Sequence, residues 1–486
     1  MAWATLSDLP AELVIRIIQY AFYPDPGPLA PPPAHKPSQT WTRSHLDHDR
    51  LDHTELNGRK RKPRPYHQER IIPPPISLKA YQEPDSWKRP LPLKPLLWLC
   101  LINRTFRSCV QGLLFKNVNL QNTRTARMFL KALTCVPPHE DNKGPRKRQK
   151  RDKLPTRVSQ YVQTLQFTWG SNRSPGKTSA SLFCKILQNC PMLENIYISP
   201  KFVLSCKETI IEALASKPFI KDIVIYSITK RDNSIFQWQA HDVFSRLFSH
   251  WDVLETVDLM GLTSCASYSW NPPPDTFPVL NCAIRTMTLH NHNCDELTLS
   301  NLLKSCGASM RTLETTGPHL NLKPGAFGRV LRDSTSPDLE CLVIRRPSHW
   351  QHTVNDLDLG EPDDIAIVLD IAFDSPTALR NLKTLTFYGE YMATDQLFAR
   401  LPKSLVKLAW GQCKLTAPPF IDALTSSADE KGSLPNLMCC AVSTHRRWDA
   451  KDGMTVQQVL EKVRGGCFHP HHYRGYGSSS STDSDP

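Results

Sequence analysis

Nine times between Val162 and Val442 the chain repeats one short pattern: an apolar residue, then two more three and five places on. The copies are Val162, Leu165, Phe167; Leu193, Ile196, Ile198; Ile220, Ile223, Ile225; Leu254, Val257, Leu259; Ile284, Met287, Leu289; Leu339, Leu342, Ile344; Leu382, Leu385, Phe387; Leu405, Leu408, Trp410; and Leu437, Cys440, Val442. A weaker tenth copy starts at Met310 with Leu313. Alternation over the last places predicts a short strand. Between the copies lie amphipathic stretches such as SLFCKILQNC, ETIIEALASK, DVFSRLFSHW, LSNLLKSC, DIAIVLDIAF and TVQQVLEKV, which predict helices. Each unit therefore has one apolar strand edge and one apolar helix face that it cannot bury alone, and stacking neighbours buries both.

The alternation also suits a doubly wound α/β domain, but no glycine-rich phosphate loop follows any strand. The ten starts are spaced by 23 to 43 residues, close to 31 on average. In period and pattern the region resembles strand–helix leucine-rich repeats, irregularly, because the Asn or Cys that usually follows the strand is clear only at Cys413 in LVKLAWGQCKL. The expected fold is α/β, a leucine-rich-repeat-like strand–helix solenoid with a curved parallel sheet over residues 158–466. A first strand–helix unit is expected at 116–136, with a strand at Phe115 to Leu120 and a helix at Arg124 to Leu133.

Leu6 to Phe22, LSDLPAELVIRIIQYAF, reads as a well-marked helix. Pro10 suits its first turn and Glu12 suits the dipole there. Leu13, Ile17 and Tyr20 form one apolar row and Val14, Ile18 and Ala21 a second, too wide a stripe for one packing contact. Lys94 to Leu120, KPLLWLCLINRTFRSCVQGLLFKNVNL, adds a short apolar helix, a polar break at Asn103 and Arg104, and a helix carrying Phe106, Val110, Leu113 and Leu114. Together the segments resemble an F-box, with LPxEL opening the first helix and LxLINRTFRSxVxxLLF closing the third. Here Phe106 stands where the family usually has Trp, and a long insertion separates residues 1–23 from 94–115. The resemblance implies a substrate-recognition adaptor of a Skp–cullin–F-box ubiquitin ligase, with Leu9, Pro10, Leu13, Ile17, Phe106, Leu113 and Leu114 forming or supporting the surface for the Skp adaptor.

Charge is segregated. Of the net +13, residues 24–94 carry 13 Lys/Arg against 8 Asp/Glu, and Lys143 to Lys153 carry 7 against 1, leaving +2 on the other 404 residues. A folded nucleic-acid surface needs basic residues spread over an ordered face, so nucleic acid is an unexpected partner. The segment 24–93 holds 15 of the chain's 41 prolines and reads as a disordered insertion, 137–157 as a basic linker, and 467–486 as a disordered tail. Arg59, Lys60, Arg61 and Lys62, with Arg146, Lys147, Arg148, Lys150 and Arg151, are candidate nuclear-import runs. His45, His48 and His53 among Asp47, Asp49 and Asp52, and Cys467, His469, His471 and His472 in the tail, lack a metal-site frame, so no metal or cofactor is expected. The fifteen cysteines are scattered with no CxxC pair and read as reduced core thiols, Cys100, Cys184, Cys306 and Cys341 among them.

No GxxxxGKS/T, HExxH or GxSxG motif occurs, and no enzyme is expected. Absence of a signal-like start or membrane-length apolar run points to the nucleus, the cytoplasm or both. The substrate is expected on the concave sheet face, where residues between and just after the apolar ones project: Tyr197, Tyr226, Asp258, His290, Arg345 and Tyr388. Rival readings are a nuclear nucleic-acid-associated protein using its basic loops and a structural F-box protein without a ligase role. Replacing Arg59 to Lys62 and Arg146 to Arg151 by Ala should abolish nuclear accumulation of a fluorescent fusion, and an unchanged distribution would reject the import signals.

Overall fold

The structure is a computed structural model. It describes residues 9–22, 93–135, 158–168, 177–198, 207–226, 238–264, 278, 280–318, 322–345, 367–389, 392–427, 433–444 and 448–472. The runs Arg59 to Lys62 and Arg146 to Arg151, and the histidines at 45, 48 and 53, lie outside the described residues. Two units are present. Among the described residues the smaller takes in 9–22 and 94–110, and the larger takes in Leu93 and those from Gln111 onward.

The smaller unit contains α1 (Ala11–Phe22), nearly all of α2 (Leu93–Leu99) and the first half of α3 (Arg104–Lys116). The Pro10 carbonyl accepts the first helical N–H groups, from Leu13 and Val14, at 3.0 and 3.1 Å. Asn103 starts α3: its side-chain oxygen accepts from the Phe106 N–H at 2.8 Å, satisfying one of the donors a helix start leaves open. The Cys109 thiol donates to the Ala11 carbonyl at 3.7 Å, joining α1 to α3.

The larger unit is organised by one twelve-stranded, wholly parallel sheet whose strands lie side by side in chain order. They are β1 (Asn117–Leu120), β2 (Thr164–Phe167), β3 (Asn195–Ile198), β4 (Asp222–Tyr226), β5 (Thr256–Met260) and β6 (Thr286–His290). β7 (Thr312–Thr316), β8 (Cys341–Arg345), β9 (Thr384–Tyr388), β10 (Lys407–Gly411), β11 (Cys439–Thr444) and β12 (Cys467–His472) complete it. The ten repeat copies are β2 to β11, and the weak copy at Met310 is β7. Register is constant, so that Leu165, Ile196, Ile223, Val257, Met287, Leu313, Leu342, Leu385, Leu408 and Cys440 form one rung line. Strand–helix units stacked in this way form a leucine-rich-repeat-like ladder.

Burial explains the pattern. The first apolar residue of every copy, Val162 through Leu437, is fully buried. Helices α4 (Thr123–Thr134), α5 (Lys177–Gln188), α6 (Lys207–Ala215) and later ones share that core through Phe129, Phe183, Ile210, Ile211 and Leu214. The Asn122 side chain caps α4 by accepting from the Thr125 N–H at 2.8 Å. Before each strand from β3 to β11 one carbonyl of the preceding repeat accepts two successive N–H groups: Glu194 and Asn195 on Gln163, Arg311 and Thr312 on Arg285, Met438 and Cys439 on Val406.

Two expectations change. Residues 467–472 were assigned to a disordered tail, but they form β12, paired along its length with β11. Pro470 there lacks a donor and is tolerated because β12 ends the strand order. Among the described residues the cysteines divide: Cys109, Cys184, Cys190, Cys282, Cys294, Cys306 and Cys440 are buried, whereas Cys100, Cys341, Cys413, Cys439 and Cys467 are half-buried and Cys135 is exposed. Cys341 starts β8 on the sheet face opposite the core rung of Leu342.

Near its C-terminal end the core is aromatic. Trp410 meets Phe387, Phe398, Phe420 and Trp448 at ring-centroid distances of 6.4, 5.7, 5.2 and 5.8 Å. Its indole N–H is buried and has no acceptor among the described residues. Trp410→Ala should therefore cost about 3–5 kcal/mol of unfolding free energy, read by denaturant titration. Trp410→Phe, which removes the orphan donor, should cost less than about 1.5 kcal/mol, and equal losses would contradict this packing.

Candidate protein-interaction surfaces

The two apolar rows of α1 separate in the structure. Val14 and Ile18 are buried, while Leu13 and Ile17 stand exposed. In the same unit Leu97, Trp98, Leu101 and Ile102 are also exposed, so that accessibility on these six side chains runs from 45% at Leu13 to 72% at Trp98. Scattered exposed apolar residues are ordinary, but six large ones among the described residues of this unit make it a candidate docking surface.

The other expected contact residues fall elsewhere. Leu9 is half-buried and Pro10 exposed. Phe106 is buried at 4% accessibility, so it can support the surface from beneath but cannot touch a partner. Leu113 and Leu114 are half-buried in the larger unit. The exposed residues of α2 and its following turn are not among those that the sequence pattern singles out. Their signal was nonetheless present in PLLWLCLI: a helix of seven residues buries one side, so a continuous apolar run must show its other side to solvent.

On the sheet, alternate residues point away from the core, onto the open face. β-register places Tyr197 and Asp258 in its central column, and His290, Arg345 and Tyr388 in the next column toward the strand ends. Tyr226 shares that second column by backbone register, but its side chain lies outside the described residues. Asp258 Oδ1 is 3.3 Å from His290 Nε2, and His290 Nδ1 is 2.7 Å from the Thr316 hydroxyl. Arg345 Nη2 lies 3.6 Å from Glu314 Oε1, while its Nε has no acceptor among the described residues. Burial raises the Tyr197 phenol pKa and the Asp258 charge adds to it; burial also raises that of Tyr388, against the pull of Arg345.

A carboxylate, an imidazole and a hydroxyl in line can activate a nucleophile, but acyl transfer also requires free donors for an oxyanion. Beside Thr316 the Gly317 N–H is committed to the Arg345 carbonyl at 2.8 Å. The same bonding recurs along the strand ends. Gly261, Asn291, Gly317, Gly389 and Gln412 all have positive φ, and each gives its N–H to the carbonyl of the next strand's fifth residue. The open face thus presents Tyr197, Asp258, His290, Arg345 and Tyr388 in adjacent columns of the sheet. Among the described residues no cluster of three or more His, Cys, Asp or Glu is arranged to hold a metal.

No family model matches the chain, and no curated protein matches it. Among solved structures it is similar to a chain in the crystal structure of a TLR13–ssRNA13 complex, with 14% identity and a TM-score of 0.34. The match covers 64% of this chain and 39% of that one, so the chain spans well under half of that structure's length. The ladder itself carries the fold assignment. No described helix is long and apolar enough to cross a membrane.

Tyr388 owes its position to Gly411, its register partner on β10. A Cβ there would lie 2.6 Å from Tyr388 Cε1 and 2.7 Å from Cδ1, closer than atoms can approach. Gly411→Ala should displace the ring and cost about 1–3 kcal/mol, whereas the double variant Gly411→Ala with Tyr388→Ala should regain most of that loss. Additive losses in thermal unfolding would contradict the contact.

Proposed function

We propose that the chain is the substrate-recognition adaptor of a Skp–cullin–F-box ubiquitin ligase. In this reading the small helical unit binds the Skp adaptor and thereby the cullin subunits, and the open face of the sheet holds a protein substrate. The observation that carries it is the split of α1: one apolar row is used internally, and Leu13 and Ile17 are left exposed together with Leu97, Trp98, Leu101 and Ile102. An isolated surface row of this kind is costly in water and is stabilised when a partner covers it. The chain supplies no catalysis itself; ubiquitin transfer belongs to other subunits. It works in the nucleus, the cytoplasm or both, with the basic runs serving import.

The substrate arm rests on Tyr197, Asp258, His290, Arg345 and Tyr388 sharing one face, with Tyr226 in the same backbone column. Large aromatics and Arg are the types most often found at interface centres.

Leu13→Lys places a charge in what would be a desolvated interface and should weaken binding of purified Skp adaptor to the full chain by about 30-fold, on the order of 2 kcal/mol. Folding is checked by circular dichroism. Combined Tyr197→Ala, Arg345→Ala and Tyr388→Ala should leave that binding unchanged and remove the proteins that accumulate with the chain under proteasome inhibition. Wild-type affinity in a folded Leu13→Lys protein would overturn the adaptor reading, and unchanged recovery in the triple variant would place the substrate elsewhere.

A further inference from the structure

The last two strands bring two thiols together. Cys439 and Cys467 open β11 and β12 and are Cα partners in the parallel register. Adjacent strands lie about 4.8 Å apart, within the Cα separation that a disulfide spans, and in-register residues point to the same face. Here both thiols point to the open face, and the Cys467 thiol donates to the Cys439 sulfur at 2.6 Å. Both residues are half-buried, so small reagents reach them, unlike the fully buried Cys440 that lies between them in the chain. The proline and three histidines of β12 make it a weak strand former at the end of the sheet, where a covalent tie has the most to add.

We propose that Cys439 and Cys467 are a paired-thiol modification site, which a small disulfide oxidant such as glutathione disulfide converts to a cross-strand bond fastening β12 to β11. One cysteine thiolate attacks glutathione disulfide, forming a mixed disulfide and releasing one glutathione. The second cysteine then attacks the protein-bound sulfur, closing the Cys439–Cys467 bond and releasing the other glutathione. The two protein thiols together give up two protons and two electrons, and one glutathione disulfide becomes two glutathione molecules. Lys407, the register partner of Cys439 on β10, puts an ammonium group beside the pair and favours the attacking thiolate. Burial, and then the neighbouring Cys439 thiol, push the Cys467 pKa up to about 11, so exchange is slow and the bond accumulates under sustained oxidation. The site is independent of the helical unit, and its failure would leave the adaptor reading untouched.

The test uses the reduced full-length protein, incubated with glutathione disulfide until reaction stops, alkylated, and digested without reductant for mass spectrometry. A cross-linked pair of peptides carrying Cys439 and Cys467, two hydrogens lighter than the sum of the free peptides, is expected. Hydrogen exchange over residues 467–472 should be slower in the oxidised protein. Cys439→Ala and Cys467→Ala should each abolish the link; should either variant fail to fold, the wild-type digest alone decides. Recovery of both residues as alkylated thiols or as glutathione adducts would overturn the proposal. So would linkage to another cysteine, a link formed only in urea, or unchanged exchange over 467–472.

Discussion

Constant register between neighbouring parallel strands is the constraint on which the larger unit depends. In a strand, side chains alternate between faces, so a slip of one residue would carry an entire apolar set from the core to solvent. The ladder avoids this at every step: Leu165 lies beside Ile196, Ile196 beside Ile223, and so on to Cys440 beside Phe468. Each strand from β3 to β11 enters through two N–H groups held on one carbonyl of the preceding repeat, and at least five strands leave through a residue of positive φ. Fixed entry and exit leave little freedom for a slip. The same register aligns the residues of the open face into columns, so those columns are a by-product of the packing rule that makes the core.

That rule was legible because it is enforced by burial. Each copy's first apolar residue is wholly excluded from water, and such positions tolerate few residue types. The copy at Met310 looked weak because Thr315 takes the place of its third apolar residue. Thr315 is buried at 2% accessibility with its hydroxyl 3.3 Å from His292 Nε2, so a hydrogen bond replaces apolar contact there. The exit turns were hard to read for a different reason. Backbone geometry selects them, and Gly, Asn and Gln all serve, so no single residue type marks the position. β12 was missed because CFHPHH contains a proline and little apolar alternation; an edge strand needs neither a full set of donors nor two buried faces.

The helical unit was read from the width of the α1 stripe, and the structure divides that stripe into a buried and an exposed row. What the pattern could not do was rank contacts. Phe106 and Trp98 are both large and aromatic, yet one is buried and the other is 72% accessible, a difference set by how the helices pack rather than by residue type. In a seven-residue helix as apolar as α2, periodicity cannot tell the inner side from the outer.

The most direct test of the account is covalent side-chain footprinting of the full chain with and without purified Skp adaptor. The account predicts loss of labelling at Leu13, Ile17, Trp98 and Leu101 on addition of the adaptor, with labelling of Tyr197 and Tyr388 unchanged. Unchanged labelling of the helical residues, or protection confined to the open face of the sheet, would contradict it.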